Sequence, residues 1–322
     1  MNPARVRRLE RWLSVLAIRL GVPLSAAQVG KFANQETTVE IKVSVREEDV
    51  FIIQSGYGEV NDMIMELLIM INACKTASAK RVVAVIPYFP YSKQSKKKAA
   101  RSAIPAKLLA MMLKVAGVTQ VVTLDLHATH IQGFFDFPID NLSSKPFIVK
   151  YIRDRIPDSQ TAVIVSKNAG GAKRVTSIAD ELRLDFAIVH QDAGHSHISQ
   201  PADGEHGELV LVGDVKGRVA IIVDDLLDSA KSFASAATLL KKRGATKVYG
   251  LATHGLMSGD ALDILNNSDV DELAVTNSVP VADKVALCPK LKVIDVTPLI
   301  AEAIRRIHNG ESVSCLQQQV PL

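Results

Sequence analysis

Hydrophobic and polar positions follow two rhythms along this chain. Short β-branched runs read as strands: VEIKVSV (39–45), DVFIIQSG (49–56), RVVAVIPY (81–88), QVVTLDLH (120–127), AVIVSKN (162–168), DFAIVH (185–190), RVAIIVDD (218–225), KVYGLATH (247–254), ELAVTN (272–277) and KVIDVT (292–297). Between many of them lie windows of helical period, at 61–74, 103–116, 171–183, 229–243 and 298–308. Strand and helix in alternation predict an α/β fold built on parallel sheets. Several runs are apolar on both faces, as a parallel strand covered by helices on each side requires.

The pattern repeats. AGVTQVVTLDLH (116–127) and RGATKVYGLATH (243–254) match at Gly117/Gly244, Thr119/Thr246, Val121/Val248, Leu124/Leu251 and His127/His254. Each copy follows a helical window that itself follows an apolar strand. The simplest account is one α/β unit present twice in tandem. The first copy is longer by a Lys-rich segment after Tyr91. A boundary near Ser143–Lys150 then gives domains of 1–145 and 146–322, with the last helix packing back on the first half.

At 322 residues the chain has room for two such domains. Apolar residues at 48% and charged residues at 22% exclude wholesale disorder. A net charge of +4 and 5% aromatic content lack the clustered basic, aromatic-rich surface of nucleic-acid binding. Cys74, Cys288 and Cys315 form neither a CxxC pair nor a disulfide framework, which fits a reducing compartment. No apolar run approaches the ~20 residues of a membrane span, since MIMELLIMINAC (63–74) is short and carries Glu66. The expected location is cytoplasmic.

Residues 1–20 carry Arg5, Arg7, Arg8, Arg11 and Arg19 on a helical apolar pattern of Leu9, Leu13, Leu16 and Leu20. This reads as a surface helix with a basic outer face. A mitochondrial transit peptide is the alternative, although such peptides have more Ser and lack an acid such as Glu10.

The strongest chemical signal is GRVAIIVDDLLDSAKSF (217–233). A buried strand ends in Asp224 and Asp225, and a short loop then leads into a helix. At the C-terminal edge of a parallel sheet, this places both carboxylates in the ligand crevice. Backbone N–H groups of 228–232, at the helix N-terminus, are placed to cradle a phosphate. The carboxylates suit the hydroxyls of a sugar.

This segment resembles the phosphoribosyl-pyrophosphate motif, and the chain as a whole resembles the ribose-phosphate pyrophosphokinase family. The matching stretches are KFANQET (31–37), NDMIMELLIMINACK (61–75), VIPYFPYSKQ (85–94), LDLHATHIQGFFDFPIDN (124–141), AGGAKRVTSIAD (169–180), LVGDVKGRVAIIVDD (211–225) and EAIRRIHNGESVS (302–314). The resemblance implies two tandem phosphoribosyltransferase-like domains. It also implies transfer of a diphosphoryl group from Mg-ATP to ribose 5-phosphate with release of AMP, a reaction catalysed mainly by positioning and charge stabilisation. On this resemblance, Phe32, Asn34 and Glu36 bind ATP across a subunit contact, with Lys93, Gln94 and His127. Asp125, His127, Asp136 and Asp140 form the metal neighbourhood, where oxygen ligands suit Mg²⁺. Asp224, Asp225, Asp228, Ser229, Ala230, Lys231 and Ser232 take ribose 5-phosphate. Ser44, Arg46, Gln132, Asn141, Ser312 and Ser314 line a regulatory anion site, and ATP or ADP, ribose 5-phosphate and phosphate are the expected small-molecule partners. An oligomer, homomeric or mixed with paralogous subunits and most simply hexameric, is expected, with no nucleic acid or membrane as partner.

The departures fall on the chemistry. The family's adenine-stacking Arg is Lys93, and an ammonium cannot stack as a guanidinium does. The flexible catalytic loop reads SKKKAARSA (95–103), cationic but without acids. Asn168 stands where an acid precedes AGGAKR. Gln191 and Ala193 stand where the family places a catalytic Lys and Arg. The loop Ser229-Ala230-Lys231-Ser232 replaces Thr-Cys-Gly-Thr, removing a Gly that allows close backbone approach to a phosphate. The Arg-rich helix replaces the usual first strand. Together these features resemble the family's divergent, non-catalytic associated subunits. A regulatory or associated subunit is the expected function, with an active synthetase as the alternative. His190, His195, His197 and His206, in a Gly-, Ser- and Pro-containing stretch, read as a loop, with a metal site as the alternative.

Overall fold

The computed structural model describes residues 3–191 and 209–321. In chain order the elements are α1 (Pro3–Leu20), β1 (Ala27–Lys31), β2 (Thr37–Ile41), β3 (Asp49–Ile53), α2 (Val60–Thr76), β4 (Arg81–Ile86), α3 (Pro105–Ala116), β5 (Gln120–Leu124), β6 (Ile139–Leu142) and α4 (Lys145–Arg155). They continue with β7 (Val163–Ser166), α5 (Ala172–Leu182), β8 (Asp185–Gln191), β9 (Leu209–Val212), β10 (Val219–Leu227), α6 (Lys231–Lys242), β11 (Lys247–Gly255), α7 (Ala261–Asn266), β12 (Glu272–Thr276), α8 (Ala282–Leu287), β13 (Leu291–Ile294) and α9 (Thr297–Asn309).

The chain divides into two compact units. The first holds 1–146, 277–280 and 295–322, and the second holds 147–276 and 281–294. The first unit is built on a parallel sheet in the order β3-β4-β5-β6, with β1 and β2 forming a separate antiparallel hairpin. Its core joins Ile52, Leu67, Ile71, Ala84, Leu113 and Val121, contributed by the sheet and by α2 and α3. In this unit α1 lies against α9. Leu16 is buried there, and Arg19 pairs with Asp295 at 3.6 Å.

The second unit has the sheet order β13-β12-β11-β10-β7-β8-β9, parallel except for the β8–β9 pair. β10 is its centre, flanked by β7 and β11, and all nine of its residues are buried. A strand covered on both faces reads as a near-continuous apolar run, which is why VAIIV carries no alternation before the two buried acids.

The sequence repeat is a structural one. Gly117 closes α3 with φ 104°, and Gly244 follows α6 with φ 91°. Only Gly adopts this left-handed turn without a Cβ penalty. The Thr two residues on then donates its N–H to the start of the preceding strand. Thr119 bonds the Val82 carbonyl at 2.8 Å, and Thr246 bonds the Arg218 carbonyl at 2.9 Å.

Three expectations change. The run at 39–45 forms a strand only over Thr37–Ile41, because β1 supplies pairing partners only as far as Ile41. β1 and β6 are short strands without an apolar run, so the hydrophobic pattern did not reveal them, and β9, LVLV, is only four residues long. β10 does not end at the two acids: its ladder to β11 continues through Leu227, opposite Gly255.

Candidate functional site

Register builds the site of the second unit. β7 runs parallel to β10 with Val165 opposite Ile222, so Lys167, two residues further on, comes level with Asp224. Asp224 and Asp225 are 7% and 4% exposed, so their charges need partners. Lys167 Nζ lies 2.8 Å from Asp224 Oδ2. Arg174, in the first turn of α5, reaches both acids, at 3.3 Å to Asp224 Oδ1 and 3.0 Å to Asp225 Oδ1. The Asp225 backbone N–H donates to Asp224 Oδ1 at 2.9 Å. Burial pushes the Asp224 carboxyl above its ordinary pKa, and the Lys167 charge opposes that shift.

Beyond the acids the chain turns through Asp228 and Ser229 into α6. The left-handed residue of this loop is Ala230, with φ 61°. Lys231, at the family's Gly position, is not among the positive-φ residues. The left-handed position of the loop therefore sits one residue before the lost Gly. The Lys231 N–H donates to the Ser229 carbonyl at 2.8 Å, and Ser229, Lys231 and Ser232 are exposed. The first-turn N–H groups of α6 have no intrahelical acceptor, which gives this loop the polarity of an anion cradle. Ser232 Oγ accepts from Lys167 Nζ at 3.0 Å. The residues assigned to the sugar phosphate are thus brought together on one strand–loop–helix turn.

Asn168 takes a structural post beside them. Its Oδ1 accepts the Gly171 N–H at 3.0 Å, capping the turn before α5. Gln191 ends β8, while Ala193, His195, His197 and His206 lie outside the described residues. Reading the sequence did not single out Lys167 or Arg174. The signal for Lys167 is its position just past a strand adjacent to the acid-bearing one.

In the first unit, Phe32, Asn34 and Glu36 sit together, exposed, on the tip of the β1–β2 hairpin. The tip is held by the Phe32 N–H to the Glu36 carbonyl at 2.9 Å and the Glu36 N–H to Asn34 Oδ1 at 3.2 Å. Phe32 is 57% exposed, unusual for its type. Lys93 and Gln94 are elsewhere in the unit, in a short helical turn lining a pocket of about 580 Å³ with Glu59, Asn61, Asp62 and Tyr91. The hairpin is tied to that pocket's wall by Lys31 Nζ, 2.6 Å from Asp62.

The four residues proposed around a metal are not brought together. Asp125 lies just past β5 with φ 41°, and its Oδ2 accepts from Ser144 through both the N–H, at 3.2 Å, and the hydroxyl. His127 is exposed two residues on. Asp136 pairs with Lys114, which draws its carboxyl pKa down. Asp140 accepts from Gln120 Nε2 at 2.5 Å. Among the described residues no group of three His, Cys, Asp or Glu is placed to hold a metal ion. The set does not fit a protein-held Mg²⁺.

The residues proposed for an anion site gather only in part. Gln317 Nε2 donates to the Asn141 carbonyl at 2.7 Å, bringing the turn that starts at Ser314 beside β6. Ser312 Oγ lies 3.2 Å from Ser314 Oγ. Asn141 Oδ1 accepts the Leu126 N–H at 3.0 Å and so fixes the turn after β5. Gln132 Nε2 donates to the Thr129 carbonyl at 3.3 Å. Ser44 and Arg46 are exposed between β2 and β3.

Two parallel-sheet units, each carrying polar chemistry past the carboxyl ends of its strands, define a tandem phosphoribosyltransferase-like protein. The family models and one solved structure agree. Family models match the N-terminal domain of ribose phosphate pyrophosphokinase over residues 11–117 and the phosphoribosyl synthetase-associated domain over residues 199–318. A crystal structure of phosphoribosylpyrophosphate synthetase from Mycobacterium smegmatis superposes with a TM-score of 0.86 at 35% identity, over 94% of this chain and 96% of that one. A purine phosphoribosyltransferase from Pyrococcus horikoshii Ot3 matches 35% of this chain and 72% of its own, at 19% identity and a TM-score of 0.28. The chain belongs to the ribose-phosphate pyrophosphokinase family. Among the described residues, no helix is long and apolar enough to cross a membrane.

Proposed function

We propose that this chain is a regulatory or associated subunit of the phosphoribosyl pyrophosphate synthetase assembly, with little or no turnover of its own. The observation that carries the reading is the occupation of the family's catalytic Lys and Arg positions by Gln191 and Ala193. Neither can neutralise charge on a diphosphoryl group in transfer. One lost electrostatic clamp typically costs ~10²–10³ in rate. Two further facts support it: Asn168 is spent as a cap, and the sugar-binding acids are neutralised from within by Lys167 and Arg174.

What the chain keeps is the apparatus of assembly and ligand contact. The hairpin tip with Phe32, Asn34 and Glu36 is exposed and held in shape. On this reading it contributes to an ATP site on a neighbouring subunit, while ribose 5-phosphate meets the 228–232 turn. Mg-ATP is a substrate of the assembly rather than a ligand of a metal cage in this chain.

The test is co-assembly. Mixed with an active synthetase of the same family, the chain is expected to form a larger particle by light scattering. It is also expected to change the partner's turnover. A stable monomer at micromolar concentration, with and without that partner, would overturn the proposal.

A further inference from the structure

The second unit holds a feature that no loss of catalytic residues requires. Lys167 is a long side chain, only 15% exposed, whose ammonium is directed inward. Its Nζ is 2.8 Å from Asp224 Oδ2, 3.0 Å from Ser232 Oγ and 5.1 Å from the centroid of the Phe233 ring. The carboxylate, the hydroxyl and the aromatic face together make a compact binding place for one cation. Arg174 completes the balance, since it touches both acids. Two carboxylates thus face two cations, and the buried pair is neutral without any ion from solution.

We propose that Lys167 is a resident cation that closes the Asp224–Asp225 pair to divalent metal. Mg²⁺ and Mn²⁺ demand oxygens at close range in near-octahedral arrangement. Both Asp224 oxygens already accept charge-assisted bonds from Lys167 and Arg174. An entering ion must displace the ammonium or sit beside it, and like charge at that distance in a part-buried setting is strongly unfavourable. Displacing it also breaks the bond to Ser232 at the start of α6 and exposes the Phe233 face. The acids therefore remain available to hydroxyl groups, which add no charge, and are closed to cations.

The inference takes from the proposed function only the assignment of these acids to the sugar. Its experiment measures metal binding to the chain alone, whereas that reading stands or falls on assembly and AMP release. Mn²⁺ titrated without nucleotide, followed by electron paramagnetic resonance and calorimetry, is the probe. The unmodified chain is expected to bind Mn²⁺ no better than Asp224→Asn does. Lys167→Ala is expected to gain a site at least about tenfold tighter, lost again in Lys167→Ala/Asp224→Asn. A Mn²⁺ site in the unmodified chain that Asp224→Asn removes would overturn the proposal. So would a folded Lys167→Ala chain, by circular dichroism, that gains no site. Should Lys167→Ala fail to fold, the comparison of the unmodified chain with Asp224→Asn alone decides.

Discussion

The β4–α3–β5 and β10–α6–β11 copies of the repeated unit begin alike and end differently. Each opens with an Arg, 81 or 218, that grips an Asp at the start of another strand, Asp49 of β3 or Asp185 of β8. At the other end, Pro87 occupies the place that Asp224 takes in the second copy. Proline has no N–H for a ladder, and β4 stops at Ile86, whereas β10 runs on to Leu227. The paired strands follow suit. β5 ends at Leu124, leaving His127 exposed in the turn beyond; β11 reaches Gly255 and buries His254 at 2% exposure. The same residue pattern yields a surface position in one copy and core in the other. Strand length decides which: β5 stops before Asp125, which turns left-handed with φ 41°, while β11 runs through His254.

The charges of the two copies are expected to differ in the same sense. Arg174→Met removes the cation shared by two buried acids and should cost the second unit about 3 kcal/mol, since an uncompensated buried charge is left behind. Lys114→Met breaks an ion pair that is more than half exposed on both sides and should leave thermal unfolding where it is. Equal losses in a thermal melt would erase the distinction between the copies.

The Arg–Asp grips offer a second contrast. Asp49 is held at a pKa of about 2, first by its hydrogen bonds from Arg81, with His308 Nδ1 2.9 Å away adding to the effect. A carboxyl lowered on folding stabilises the protein above its unfolded value, and that stability is lost as pH falls towards 2. Asp49→Asn should therefore cost about 1–2 kcal/mol at neutral pH, discounted for the part-exposed Arg81, and nearly nothing near pH 2. Asp185, whose side chain is 75% exposed, should show less than about 0.5 kcal/mol for the same change. Chemical denaturation at both pH values checks it.

The smallest effect concerns the 228–232 turn. Ala230 holds a left-handed φ of 61°, which costs a non-Gly residue roughly 1–2 kcal/mol. Ala230→Gly should stabilise the second unit by about 0.5 kcal/mol once the freer unfolded chain is counted. A loss of stability would show that the turn is not strained.

Much of this was legible in the residues. The helical windows at 61–74 and 298–308 lie within α2 and α9 because their apolar period is unbroken. The repeat announced two copies because Gly117 and Gly244 each hold a backbone angle that other residues resist. What stayed hidden was tertiary. β6, IDNL, has no apolar run and forms only because β5 offers it a ladder. Lys167 stood unremarked in the run AVIVSKN, and only the β7–β10 register turns it toward Asp224. The resemblance put Asp136 and Asp140 near a metal, yet one folds onto Lys114 and the other onto Gln120.

The proposed loss of turnover in a synthetase fold is addressed directly by one assay. The pure, unmodified chain is given saturating Mg-ATP and ribose 5-phosphate, and AMP release is followed. With Gln191 and Ala193 in place of two cations, turnover should fall to about 10⁻² s⁻¹ or below, at least ~10²-fold under ordinary phosphotransfer rates. Turnover near ~1 s⁻¹ or above, the low end of such rates, would contradict the account and make the chain an active synthetase in its own right.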